Sequence, residues 1–131
     1  MEPKFKRTVV IANVLAAAVS VASAVLAMVD PGIVLTGGDR VTDGVTFYAM
    51  GYGVRAVPLG VVLIALLVTR GRRAVPPMLL LAGLVQAGDS VLGFATGNLG
   101  MGFGAGAFAV VHLASAWWLR DRPAVGGVVP A

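Results

Sequence analysis

The 131-residue sequence contains no cysteine, a single histidine and only six acidic residues. Without cysteine there is no disulfide, no thiol redox chemistry and no cysteine-ligated zinc or iron–sulfur site. One histidine cannot supply a bis-histidine haem site within one chain. Charge is scarce: Lys, Arg, Asp and Glu make up 12% of the chain, against ~25% in an ordinary soluble domain.

What is abundant is apolar. Hydrophobic residues are 58% of the chain and the mean hydropathy is +0.91. A water-soluble domain this short has too much surface for its volume to hide that apolar area. Lipid is the solvent that accepts it, which puts the chain in the membrane class. The net charge of +4 does not point to nucleic acid. The basic residues sit in short clusters beside apolar runs, with no basic face and no aromatic stacking platform.

A membrane-crossing helix needs about 20 mostly apolar residues. Four stretches qualify, at approximately 9–29, 45–69, 75–96 and 99–119, predicting an all-α four-helix transmembrane bundle in a single membrane domain. Asp30-Pro31-Gly32 stops the first, Pro76 and Pro77 fit the first turn of the third, and Trp117 and Trp118 anchor the end of the fourth. Lys4, Lys6, Arg7, Arg70, Arg72, Arg73, Arg120 and Arg122 all fall on one side of a four-span arrangement, while the other side holds only Arg40 with Asp30, Asp39 and Asp43. The positive-inside rule therefore predicts a multi-pass protein of the cell membrane with both termini cytoplasmic, residues 30–44 and the Gly97-Asn98 turn outside, and 120–131 as a cytoplasmic tail ending in a short disordered stretch.

Lys4 to Arg7, the apolar run and Ala22-Ser23-Ala24 also resemble a cleavable signal peptide. The apolar run continues beyond that point to Val29 and no polar region precedes it, which favours a retained helix. In the 30–44 loop the three aspartates lack calcium-loop spacing; Asp30 is expected to start a turn, and Thr42 or Asp43 to cap the second helix.

Ionisable residues inside spans mark candidate sites. There are three: Arg55, Asp89 and His112. An Arg or Asp at the bilayer centre costs about 2.5–3.5 kcal/mol on insertion, so these side chains are expected to face the bundle interior. At about 1.5 Å per residue, Arg55 lies some 22 Å above the basic surface and Asp89 some 24 Å, which predicts an Arg55–Asp89 ion pair. Tyr48, Tyr52 and Arg55 share a helix face by their spacing, as do Gln86, Asp89 and Gly93. Tyr48, Tyr52, Arg55, Gln86 and Asp89 are thus expected to line one cavity opening toward the outer face. Pro58 frees the carbonyl of Val54 beside Arg55 and is expected to kink the helix.

His112 and Asn13 lie at about 12 Å and 9 Å, so they meet if the first and fourth helices are neighbours, with Ser115 one turn from His112. A core histidine satisfied by Asn13 or Ser115 is the plainer reading of this inner polar site, and a proton relay or ligand site the sharper one. For Arg55 and Asp89 the same contrast is a structural clamp against a ligand or proton site. Gly100, Gly102, Gly104 and Gly106 form overlapping GxxxG patterns that suit close helix packing, within the chain or against a second copy. They lack the preceding strand of a phosphate loop. No catalytic residue and no metal-ligand cluster stands out, and the residues name no cofactor.

Gly53-Val-Arg55-Ala-Val-Pro58-Leu-Gly60, Arg70-Gly-Arg-Arg73 and Leu84-Val-Gln86-Ala-Gly88-Asp89 resemble the small four-helix membrane proteins of the DoxX-like group, over the second and third helices. The resemblance implies a lipid-facing or quinone-linked accessory role. That group includes a subunit associated with thiosulfate:quinone oxidoreduction, but this chain has no cysteine to handle sulfur. The sequence thus predicts, in addition to the lipid bilayer itself, a lipophilic small molecule such as a quinone as partner. The alternative is a structural subunit that stabilises a membrane protein partner or a homo-oligomer. A small proton-coupled multidrug transporter has the same size, but those proteins resemble one another in an acid on the first helix, where this chain has only Asn13.

Overall fold

The computed structural model describes residues 3–35, 37–69 and 73–120, with side chains from Arg7 onward. Arg70, Arg72, Arg122 and the tail 121–131 lie outside the described residues, as do the side chains of Lys4 and Lys6. The described residues form four helices and no strand: α1 Pro3–Val29, α2 Asp43–Val68, α3 Val75–Ala95 and α4 Leu99–Leu119. All four are long and apolar enough to cross a membrane. The chain is an integral, multi-pass membrane protein.

Local chemistry sets the helix ends. Asp30 Oδ1 accepts from the Gly32 backbone N–H at 3.0 Å and opens a short 3₁₀ turn, Pro31–Val34. Thr42, rather than Asp43, caps α2, its hydroxyl accepting from the Val45 N–H at 3.3 Å. The two prolines sit in the first turn of α3, where no N–H donor is required and no side-chain cap is present. Gly97 takes φ +75° in the tight turn before α4. Asn98 then caps α4 through the Met101 N–H at 3.0 Å. Pro58 does not break α2, which stays helical from end to end.

Helices α1 and α2 pack as one hairpin and α3 and α4 as another, and the two hairpins meet along looser seams, α2 beside α3 and α1 beside α4. Glycine makes each hairpin tight. A Cβ on Gly53 would run into Met28, and one on Gly60 into Val21. In the second hairpin Gly93 abuts the backbone of Gly102, Gly102 abuts the ring of Phe94, and Gly83 abuts Leu113. Phe94 and Phe103 add an edge-to-face contact at 5.0 Å. Of the four glycines that open α4, Gly102 and Gly106 therefore face α3 within the chain, Gly106 against the Ser90 hydroxyl.

Between the hairpins, Ala17, Leu63, Leu67, Val75, Leu79, Ala82 and Ala116 form an apolar core in the half of the bundle nearest Arg7, Arg73 and Arg120. We call this the basic end and the opposite one the loop end. At the basic end Arg120 lies over the Trp117 ring, 5.5 Å from its centroid. Fewer than a third of the residues in each span are buried. The exposed remainder is largely Val, Leu, Phe and Trp, while Asn13, Ser20, Asp89, His112 and Ser115 are buried. A surface so apolar around a partly polar interior is suited to hydrocarbon.

Candidate functional site

Polar side chains bridge the seams between hairpins at two levels. In the basic half, Asn13 is the hub. Its Nδ2 donates to the Val9 carbonyl of its own helix at 2.7 Å and to Ser115 Oγ across the seam at 2.7 Å. Its Oδ1 lies 2.8 Å from His112 Nδ1. The amide orientation follows from Val9, since a carbonyl only accepts and so must face the amide nitrogen. Oδ1 is then the acceptor toward the histidine, and Nδ1 is the nitrogen that carries the proton. The order is Ser115–Asn13–His112. His112 makes no hydrogen bond to the Ser115 hydroxyl, so the pair is not arranged as a nucleophile with its base. Asn13 and His112 are almost wholly buried.

At the second level Arg55 Nη2 and Asp89 Oδ1 pair at 2.5 Å across the α2–α3 seam. The pair is lopsided: the Asp89 side chain is 7% exposed and that of Arg55 49%. The guanidinium also lies 5.8 Å from the Tyr52 ring centroid. One turn before Asp89, Gln86 Nε2 donates to Ser20 Oγ on α1 at 2.7 Å, and Ser20 in turn donates to the Ala16 carbonyl at 2.9 Å.

Above Ser20 the bundle opens. A cavity of about 410 Å³ lies between the hairpins toward the loop end. Tyr48 and Tyr52 come from α2, Gln86 and Asp89 from α3, Ser20 and Ser23 from α1, and Gly100 and Gly104 from α4. A Cβ on Gly104 would meet nothing within 4 Å. A second cavity of about 490 Å³ lies under the 30–44 segment and shares Val34, Tyr48, Asn98 and Met101 with the first. Asn98 Nδ2 reaches the Val34 carbonyl at 3.4 Å within that shared wall.

The structure brings Tyr48, Tyr52, Gln86 and Asp89 to one cavity, but Arg55 is not among its lining residues. It holds Asp89 from the side of the α2–α3 seam, half exposed there. Gly93, expected on the same face, is instead used up against Gly102. Asn13, His112 and Ser115 form their own cluster in the basic half. Sequence reasoning missed Ser20, Ser23 and Asn98. A signal existed in α1: Asn13, Ala16, Ala17, Ser20, Ala24 and Ala27 recur at three- and four-residue spacing, and all six are buried. No group of three or more potential metal ligands occurs among the described residues. No family model, no curated protein and no solved structure matches this chain.

Proposed function

We propose that this membrane protein binds a lipophilic small molecule with a hydrogen-bond-accepting head, such as a quinone, in the cavity between its hairpins. The observation that carries the reading is the cavity itself. At about 410 Å³ it falls within the range of small-molecule sites, roughly 300–1,000 Å³. Its walls are mostly apolar, and its polar groups converge from three helices: Ser20, Tyr48, Tyr52, Gln86 and Asp89. The tyrosine hydroxyls and the second amide hydrogen of Gln86 are donors suited to a carbonyl oxygen. The Asp89 carboxylate is an acceptor suited to the hydroxyl of a reduced, quinol-like form.

The test is to purify the protein in mild detergent and identify co-purifying small molecules by mass spectrometry. Wild type is compared with Gln86→Leu and Gly104→Leu, the second of which starts a side chain into the cavity where a Cβ meets nothing within 4 Å. One lipophilic compound enriched in wild type and depleted in both variants is the expected result. Bulk lipid alone in all three preparations overturns the reading.

One observation favours a second role for the charged pair. Arg55 stands outside the cavity lining and ties α2 to α3, as a clamp in a structural or partner-stabilising subunit would. That role predicts an Arg55→Gln variant that loses assembly with a second copy or a membrane protein partner while a cavity variant such as Gln86→Leu retains it.

We also infer that both termini and the basic loop face the cytoplasm of a cell-membrane protein. Arg7, Arg73 and Arg120 cap one end of the bundle, and Asp30, Asp39 and Asp43 lie at the other. The chain has no cysteine, so single introduced thiols report topology cleanly. Asp39→Cys in intact cells should react with an impermeant maleimide and Ala74→Cys only after permeabilisation. The reverse pattern would invert the orientation.

A further inference from the structure

The cavity has two conceivable mouths, and their construction differs. Toward the loop end it is separated from the neighbouring cavity by the wall that Val34, Tyr48, Asn98 and Met101 share, with the Asn98–Val34 hydrogen bond across it. Toward the side it reaches the α1–α4 seam, one of the two looser seams in the bundle. Val19, Ser23 and Leu26 of α1 line the cavity and are also exposed on the protein surface, so they form a rim. On the α4 side the rim is bare backbone at Gly100 and Gly104, where an added Cβ would find open space or only the Asn98 side chain at 3.7 Å. Ser23 is the one polar side chain among these rim residues, and the amide and carboxylate lie deeper in, at Gln86 and Asp89.

We propose that the ligand is a tailed amphiphile that enters sideways from the bilayer through the α1–α4 seam. Its compact head rests against Gln86 and Asp89, and its hydrocarbon chain lies across Gly104 between Val19 and Leu26 and runs out into lipid. Size argues the same way. A volume of about 410 Å³ stands near the lower end of ligand sites, roughly 300–1,000 Å³. It takes a ring-sized head and the start of a chain, and the rest of a long chain must lie outside. Val19 and Leu26, half exposed on the rim, are as apolar as the lipid beside them, so a chain passes from one to the other at little cost. This inference rests on the binding reading above, and its test separates the two.

The probe is 2,3-dimethoxy-5-methyl-1,4-benzoquinone, used with a decyl tail and without one. Equilibrium affinity is measured for the full chain in lipid nanodiscs. The seam is obstructed after folding by coupling a bulky maleimide to Ser23→Cys, which is the only thiol present. Coupling should weaken the decyl compound about ten-fold or more relative to its effect on the tail-free ring, because an adduct filling the seam keeps a tailed head from seating while a ring without a tail needs no exit there. If both rings bind, and both depend on Gln86, but coupling leaves the decyl affinity unchanged, the sideways route falls and the binding site stands. If coupling weakens both rings equally, the tail does not lie in the seam and the route falls likewise. If neither ring binds the unmodified protein, both readings fall.

Discussion

Replacing Asn13 by leucine removes a hub while keeping a side chain branched at Cγ. Asn13 makes two bonds across the α1–α4 seam, to Ser115 at 2.7 Å and to His112 at 2.8 Å, and one to Val9 within its own helix. Interhelical hydrogen bonds in membrane proteins average about 0.6 kcal/mol and reach about 1.7. Two of them make the expected loss about 1–3 kcal/mol, because the histidine nitrogen and the serine hydroxyl are buried together with the residue that satisfied them. Ser115→Ala should cost less, since Asn13 then keeps both the histidine and Val9. The order of damage is therefore Asn13→Leu above Ser115→Ala. The assay is reversible unfolding in mixed micelles with increasing sodium dodecyl sulfate, run as a double-mutant cycle on Asn13 and Ser115. The cycle should return about 0.5–1.5 kcal/mol of coupling. No coupling, or Ser115→Ala as damaging as Asn13→Leu, would refute the hub.

Two further perturbations follow from geometry. At the charged pair, Arg55→Leu strands a carboxylate that is 7% exposed, whereas Asp89→Leu leaves a guanidinium that is 49% exposed and can extend toward the interface. Arg55→Leu should therefore be the worse single change, by about 1–3 kcal/mol in the same unfolding assay, and the double leucine variant should recover part of the loss. Equal damage from both single changes, or no recovery in the double, would contradict this account. Among the glycines, Gly93→Leu drives a side chain into the backbone of Gly102 and should cost about 1–3 kcal/mol or more by overpacking. At Gly104 a Cβ meets nothing within 4 Å, so Gly104→Leu should unfold at a detergent fraction close to wild type; a loss matching that of Gly93→Leu would mean the cavity is not there.

The polar residues that the sequence marks divide into those whose depth decides their partner and those whose rotation does. Arg55 with Asp89, and Asn13 with His112, were legible because a helix rises by a fixed amount per residue, so counting from the basic flanks places each group at a height. Opposite charges at equal height on consecutive antiparallel helices have one good solution. The side of the seam from which Arg55 approaches was not legible. Nor was the partner of Gln86, because Ser20 is an unremarkable residue until a donor is placed opposite it.

Taken alone, the sequence determined the class, the number of spans and their bounds to within a few residues at most ends. Hydrocarbon selects strongly for long apolar runs, and Asp30-Pro31-Gly32, Thr42, Pro76 and Gly97-Asn98 punctuate them through backbone chemistry that acts locally. The tertiary structure decided how each helix is turned about its axis. It set Gly102 and Gly106 against α3 and left Gly104 facing the cavity, although the four glycines alternate identically in the sequence. The physical reason is that in a membrane the outside is as apolar as the inside. Leu15, exposed on α1, and Leu63, buried on α2, are chemically the same, so hydrophobic patterning carries little information about rotation. Steric fit between hairpins and a handful of polar bonds supplies it, and these exist only once the helices are packed.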